Sequence, residues 1–162
     1  MDYTSGQETG VSVLVTTSGS VAEQTSTDLA GSEPNSGTDA YNLFHDYVNM
    51  VGGEKLSSAE SWIELAFTNL DPADRYTFAT TANRNGADYT ARETLFTISG
   101  ADSVTNTSST GVTINSDTSV AFSIGYNTVN GYVARWENID PGTDGAFTIR
   151  YAVKTNEDDA AY

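Results

Sequence analysis

The sequence predicts an all-β fold, an antiparallel β-sandwich of the jelly-roll type, and three observations lead to it. Apolar and polar side chains alternate over seven separate segments, which is the period of a strand with one buried face. Turn-forming residues separate these segments roughly every dozen residues, a spacing typical of sandwiches and jelly rolls. The chain has 162 residues and no cysteine, so a single domain spanning 1–162 can bury one core without disulfide bonds.

The strands are predicted in chain order from the face that their apolar residues share. The first, from Val11 to Thr17, places its valines together, and the second places Ile63, Leu65 and Phe67 on one face with Trp62 on the other. The seven segments read VSVLVTT, SWIELAFTNL, RYTFATTA, TLFTISG, TSVAFSIG, YVARWENI and AFTIRYAV.

Turn residues divide the later segments. Asn130-Gly131 lies between two strand patterns and predicts a tight hairpin, because both residues accept positive φ. Asp71-Pro72 and Asp140-Pro141-Gly142 each precede a strand and predict turns of their own. The connections therefore suit an antiparallel arrangement.

Two segments do not alternate. Apolar residues in 40–51 fit a helical stripe that a pair of glycines ends, which predicts a short helix, with an irregular strand as the alternative. The stretch from Thr16 to Thr38 is rich in serine, threonine and glycine and predicts a long surface loop.

The chain is strongly acidic, with a formal net charge of −15 and only seven lysine and arginine residues. This charge disfavours nucleic acid and anionic membranes as partners, because both bind through basic side chains. No apolar run approaches the roughly 20 residues that span a bilayer. The Ser/Thr/Asn/Gly-rich, lysine-poor composition is typical of a secreted bacterial module, so we expect a secreted or cell-surface protein whose signal has been removed.

The sequence contains no recognisable catalytic motif. Its one histidine, His45, lies among aromatic residues in the ambiguous segment, where a packing or surface role is the simpler interpretation. We therefore predict a protein that is not an enzyme, with a small hydrolase using His45 as the least favoured alternative.

Aromatic residues outside the alternating core set predict a ligand site. Tyr89 and Tyr126 lie in predicted loops, while Trp62 and Trp136 are expected to face away from the core residues of their strands. A flat ring can pack on the apolar face of a sugar while polar neighbours bind its hydroxyl groups. The alternative is that these rings only cover the ends of the sandwich.

One predicted loop combines such a ring with charges. Arg84 and Arg92 flank a turn that contains Asn85, Asp88 and Tyr89. We expect Tyr89 to be exposed and to bind ligand with these polar neighbours. For the arginines, a structural role in which each forms an ion pair with a nearby carboxylate is the simpler interpretation, and it is compatible with binding. We expect Arg92 to be mainly structural.

Asp140 and Asp144, in the run DPGTDG, are the candidate metal ligands, and a second acidic run lies at 156–159. Calcium takes about six to eight oxygen ligands, and neither run has the spacing of an EF-hand loop. A hairpin turn and a solvated tail are the simpler interpretations of the two runs.

Four motifs, taken in order, carry a family resemblance. They are LDPxxxYxF from Leu70 to Phe78, ANR followed by RETxFTISG between Ala82 and Gly100, NTS from Asn106 to Ser108, and IDPGTDGAFTI from Ile139 to Ile149. With them the C-terminal two thirds of the chain resembles the galactose-binding-like β-sandwich modules appended to secreted bacterial polysaccharide-degrading enzymes and esterases.

The resemblance implies a noncatalytic jelly roll, part of a larger protein, that binds a polysaccharide or oligosaccharide and often holds a structural calcium ion. The rival hypothesis is a structural or adhesive sandwich, a spacer or self-associating surface subunit without sugar affinity. Such modules commonly close with a further apolar strand, whereas this chain ends in NEDDAAY. The resemblance thus implies a C-terminus that is truncated or that only begins the final strand.

Overall fold

The computed structural model describes residues 8–24, 33–47, 53–84 and 89–154. Within these ranges the chain forms strands and two short helices, α1 (Asp39–Phe44) and α2 (Asn127–Asn130). The strands are β1 (Ser12–Ser18), β2 (Val21–Gln24), β3 (Gly53–Leu56), β4 (Trp62–Thr68), β5 (Tyr76–Thr80), β6 (Glu93–Ser99), β7 (Ser103–Asn106), β8 (Thr113–Ser116), β9 (Ser119–Ser123), β10 (Ala134–Asp140) and β11 (Phe147–Val153).

The strands form two main antiparallel sheets. The larger has six strands in the order β1-β4-β11-β6-β9-β8, and the smaller has three in the order β5-β10-β7. A separate pair, β2 with β3, continues beyond the ends of β1 and β4. Most connections from β4 onward cross from one sheet to the other, so the prediction of an antiparallel β-sandwich is confirmed.

The core lies between the two sheets. Phe96 and Ile149 of the large sheet are fully buried against Trp136 and Ile139 of the small one. Burial of such apolar side chains supplies the main favourable term for folding, at about 25 cal/mol per Å² of surface removed from water. Packing in this core holds the two sheets against each other and thereby positions the connections at their ends.

All seven predicted strands are present, as β1, β4, β5, β6, β9, β10 and β11. The sequence analysis missed the four short strands β2, β3, β7 and β8. Each has only four residues and a mixed sequence, such as TINS in β8, which is too short to show an alternating pattern. Their pairing is decided by the longer neighbouring strands.

The prediction of a tight hairpin at Asn130-Gly131 is wrong. The strands on either side, β9 and β10, belong to different sheets, so the chain crosses between sheets at this point. Asn130 ends α2, and Gly131 is the left-handed residue at its C-terminus, with φ 60°. The positive φ that suits a hairpin suits a helix end equally well.

The other local predictions are partly confirmed. The Asp71 side chain accepts a hydrogen bond from the Ala73 amide at 2.9 Å, as expected of a turn. Helix α1 begins after Thr38, whose hydroxyl caps it, and is shorter than the predicted 40–51; residues 48–52 lie outside the described part. The predicted loop from Thr16 to Thr38 is interrupted by the end of β1 and by β2.

Candidate functional site

An open cleft of about 640 Å³ lies at one end of the large sheet, where β9 runs into α2. The ladder between β8 and β9 stops at the pair Thr113 and Ala121, so the last residues of β9 border the cleft. The lining residues combine aromatic, apolar and polar side chains: Thr90, Glu93, Gly111, Thr113, Ala121, Phe122, Ser123, Gly125, Tyr126, Val129, Asn130 and Tyr132.

Two tyrosines give the cleft its aromatic character. Tyr126 precedes α2 in a left-handed conformation, with φ 59°, and 45% of the residue is exposed. Tyr132 lies deeper, where its ring packs near Phe122 at 5.9 Å between centroids and against the backbone of Gly111. One ring is thus presented at the surface and the other is fixed by packing.

The buried amide of Asn127 holds this end of the sandwich together. Its nitrogen donates to the carbonyls of Ala82 at 2.8 Å and Tyr132 at 3.2 Å and to the Thr81 hydroxyl at 3.1 Å. Its oxygen accepts a hydrogen bond from the Tyr132 amide at 2.8 Å. Asn127 therefore joins α2 to the end of β5 and to the chain entering β10, and positions the cleft between them.

The described residues of the predicted loop, Arg84, Tyr89 and Arg92, form a cluster behind the cleft. The guanidinium carbons of Arg84 and Arg92 lie 4.4 and 4.3 Å from the centroid of the Tyr89 ring, and Arg84 also donates to the Tyr89 hydroxyl at 3.2 Å. Tyr89 is only partly exposed. The expectation of an exposed Tyr89 ring is therefore wrong, because cation–π contacts hold the ring against both arginines.

This cluster meets the cleft through Gly125. A side chain at Gly125 would lie 2.4 Å from the backbone of Tyr89 and Thr90, so only glycine allows the two segments to pack this closely. Thr90, next in the chain, lines the cleft and accepts a hydrogen bond from the Ser123 hydroxyl at 2.7 Å. The predicted residues Asn85 and Asp88 lie outside the described part of the chain.

Of the lining residues in the described part of the chain, Glu93 is the one with a charged side chain. Its carboxylate forms an ion pair with Lys154 at 2.9 Å. The remaining polar side chains, which include Asn130, Ser123 and Thr113, carry no net charge. The cleft thus offers neutral donors and acceptors beside aromatic surface.

The two tryptophans do not belong to the cleft. Trp136 is fully buried and donates to the Asp117 carbonyl at 2.9 Å, so the expectation that it faces away from the core is wrong. Its strand, β10, is the central one of the small sheet, and this side of it faces the sandwich interior. Trp62 lies partly exposed on the outer face of the large sheet, as predicted, beneath the guanidinium of Arg150 at 4.4 Å.

Asp140 and Asp144 do not form a carboxylate cluster among the residues that the structure describes. Asp140 forms an ion pair with Arg75 at 2.7 Å and accepts a hydrogen bond from the Gly142 amide at 3.1 Å. These contacts close the turn after β10. The turn is not the hairpin that the sequence suggested, because β10 and β11 belong to different sheets. Asp144 is exposed in the same turn.

His45 lies at the end of α1, away from the cleft. Its ring stacks on Tyr41 with centroids 4.2 Å apart, one ring nitrogen contacts Glu33, and the other lies 3.4 Å from a carboxylate oxygen of Asp46. These contacts are those of a packing histidine at a helix end.

Comparisons with protein-family models, with curated proteins and with solved structures found no match to this chain. The resemblance to galactose-binding-like modules therefore stays a prediction from the motifs. Among the described residues, no helix is both long enough and apolar enough to cross a membrane.

Of the predicted ligand residues, Tyr126 lines the cleft, and Arg84, Tyr89 and Arg92 form the supporting cluster behind it. The sequence analysis missed Tyr132, Asn130 and Glu93. Tyr132 and Glu93 lie at the ends of strand-like patterns, and Asn130 was assigned to a hairpin. The one signal that could have found them is the density of polar and aromatic residues around Tyr126.

Proposed function

We propose that the protein is a noncatalytic carbohydrate-recognition module and that the cleft beside α2 binds the sugar. The observation that carries this proposal is the exposed Tyr126 ring, placed in a cleft with a second tyrosine and several neutral polar side chains. A pyranose has an apolar face and a rim of hydroxyl groups, and this combination of ring and polar side chains is complementary to both.

The size of the cleft supports the proposal. Its volume of about 640 Å³ falls within the range of roughly 300 to 1,000 Å³ that is usual for small-ligand sites. The cleft is open to solvent, so a longer chain of sugar residues can extend beyond it. A polysaccharide or an oligosaccharide is therefore the proposed partner.

Charge favours a neutral glycan. Among the described lining residues, Glu93 is the one charged side chain. It is negative and paired with Lys154, and the whole chain carries a net charge of −15. Uronic-acid and sulfated polysaccharides would be repelled by this field. We expect neutral polysaccharides to bind and anionic ones to bind more weakly.

The biological setting is part of the same proposal. The composition and the motifs are those of secreted bacterial modules, and they support a location outside the cell as part of a larger protein. The alternative, a structural or adhesive sandwich without sugar affinity, is supported by a different surface, the edge strand β1, which has a pairing partner on only one side among the described strands.

Binding to soluble and insoluble neutral glycans, followed by a Tyr126→Ala variant, tests the function. We expect the variant to lose at least about tenfold in affinity, which corresponds to about 1.4 kcal/mol, while its melting temperature stays unchanged because the ring is exposed. Tyr47→Ala is the matched control, since Tyr47 is also an exposed tyrosine but does not line the cleft. No binding to any neutral glycan, or equal losses in the two variants, would contradict the proposal.

A further inference from the structure

Strand β1 is an edge strand of unusual composition. It pairs with β4 over its whole length, from Ser12 opposite Thr68 to Ser18 opposite Trp62, and within the described residues no strand pairs with its other side. Its sequence is SVLVTTS, without a charge or a proline. The edge strands β5, β7 and β8 also lack charges and prolines. What distinguishes β1 is its length of seven residues together with its three consecutive apolar residues.

Three consecutive side chains of β1 are apolar, and they are exposed on both faces of the sheet. Val13 and Val15 point to the inner side of the sheet and are 47% and 57% exposed. Leu14 points to the outer side and is 64% exposed. A strand with water on both sides has no internal reason to carry three consecutive apolar residues.

Natural edge strands are normally protected against pairing by lysine, proline, bulges or short length. The opposite edge of the same sheet, β8, follows this rule, since it has four residues and its register shifts between Ile114 and Ser116. The ladder of β1 has seven residues in continuous register. No strand of the described ranges covers its other side, so that side can accept another strand without rearrangement.

We propose that β1 pairs antiparallel with β1 of a second copy of this chain, with Leu14 opposite Leu14. An antiparallel pair of identical strands is related by a two-fold axis perpendicular to the sheet, so the inner faces of both copies lie on the same side. Residues that face each other must then point to the same side of the sheet. In the allowed registers, an odd-numbered residue of one copy therefore lies opposite an odd-numbered residue of the other, and an even-numbered residue lies opposite an even-numbered one.

The register centred on Leu14 is the one that covers the exposed apolar residues best. It places Leu14 against Leu14 on the outer face, and Val13 of each copy against Val15 of the other on the inner face. All three exposed side chains then meet apolar partners. The strand is therefore complementary to itself, which is why a second copy, rather than an unrelated chain, is the occupant.

Charge and area predict a weak dimer that salt strengthens. Each copy carries a net charge of −15, so two copies repel each other at a distance, although β1 itself adds no charge to the contact. An edge-to-edge contact of one strand is smaller than the roughly 800 Å² per partner of a stable interface. Raising the salt from about 0.1 M to 1 M shortens the Debye length from ~10 to ~3 Å and removes most of this repulsion.

The proposed contact leaves the cleft open. In the six-stranded sheet, β1 forms one edge, and the β9 and β8 strands that border the cleft lie at the other. A dimer would carry two clefts, which raises the avidity for a repeating glycan. Dimer formation and sugar binding depend on different residues and can fail independently.

Sedimentation equilibrium from micromolar to millimolar protein tests the proposal. We expect association that strengthens with NaCl and that Leu14→Lys weakens at least tenfold, because lysine on an edge strand opposes pairing. Ile114→Lys is the matched control, since Ile114 is 58% exposed on the opposite edge strand. Leu14→Lys should keep the glycan affinity of the parent chain.

Cross-linking tests the register. The chain has no cysteine, and facing residues of an antiparallel pair have Cα atoms about 4.5 to 5.5 Å apart, which a disulfide can bridge. Leu14→Cys should therefore oxidise to a covalent dimer faster than Ile114→Cys. A chain that stays monomeric at every concentration and salt, or equal behaviour of the Leu14 and Ile114 variants in both experiments, would overturn the proposal.

Discussion

Tyr89 shows how a single contact changes the role of a residue. The sequence places it in a polar loop, which suggests an exposed ring free to bind ligand. In the structure its ring lies beneath the guanidinium groups of Arg84 and Arg92. The Tyr89 ring therefore stabilises the cluster behind the cleft. The exposed ring that could bind ligand is that of Tyr126.

We predict that Tyr89→Leu lowers the free energy of unfolding by about 1 to 2 kcal/mol, because each cation–π contact contributes about 0.5 to 1 kcal/mol. Tyr89→Phe keeps the ring and loses only the hydroxyl that accepts from Arg84, so it should cost less. Urea unfolding of the two variants measures the difference. Equal stability of Tyr89→Leu and the parent chain would show that the ring is not held by the arginines.

Tyr151, on the inner side of β11, gives a pH prediction. Burial raises its pKa from 10.0 to about 12, and a hydrogen bond with the Thr80 side chain partly opposes this rise. Since the folded state holds the proton more tightly than the unfolded state, the contribution of Tyr151 to stability is complete below pH 10 and is lost as the pH rises toward 12.

Between pH 10 and 12 we expect the unfolding free energy of the parent chain to fall more than that of Tyr151→Phe. The two decreases should differ by up to about 2 kcal/mol. Phenylalanine cannot ionise, and the other groups that titrate in this range are shared by both proteins. Urea unfolding across this pH range measures the two slopes. Parallel curves would contradict a raised pKa.

At the scale of elements, strand length decides what a pattern can predict. Seven residues in β4 or β11 show the alternation clearly, whereas four residues in β7 or β8 do not. The hairpin prediction at Asn130-Gly131 is wrong for a different reason. These residues accept positive φ, but they do not specify which sheet the next strand joins. That choice depends on the core, into which Trp136 must pack.

The crossing through α2 depends on Asn127. Asn127→Asp keeps the size of the side chain but replaces its donating nitrogen with an oxygen that faces the carbonyls of Ala82 and Tyr132. We expect it to destabilise the protein by at least about 3 kcal/mol, because a buried charge and unpaired carbonyls result.

Asn130→Asp is the control for this substitution, since Asn130 is exposed in the same short helix. It should change the unfolding free energy by no more than about 0.5 kcal/mol. Thermal or urea unfolding compares the two variants. If the two variants lost similar amounts of unfolding free energy, the effect would come from aspartate anywhere in α2. The hydrogen bonds of Asn127 would then not explain its destabilisation.

For the whole molecule, charge is the dominant property. With 22 acidic and seven basic residues, self-repulsion opposes the compact state, and we expect NaCl to raise the melting temperature by screening. We also propose that the protein binds the calcium ion that the family resemblance implies. The same series tests this, because a ligand of the folded state adds stability by mass action. Calcium chloride should then raise the melting temperature further at equal ionic strength, and a chelator should reverse it. Equal melting temperatures would remove calcium from the proposal.

The sequence by itself determined the all-β class, the seven long strands and the turn at Asp140, since period-two alternation and turn chemistry are local properties of the chain. It also pointed to Tyr126. Only the tertiary structure decided that Trp136 lies in the core, that Tyr89 packs under two arginines, and that β9, α2 and Tyr132 enclose one cleft. These facts depend on which strands become neighbours, and that choice comes from the packing of two sheets whose partners are distant in sequence.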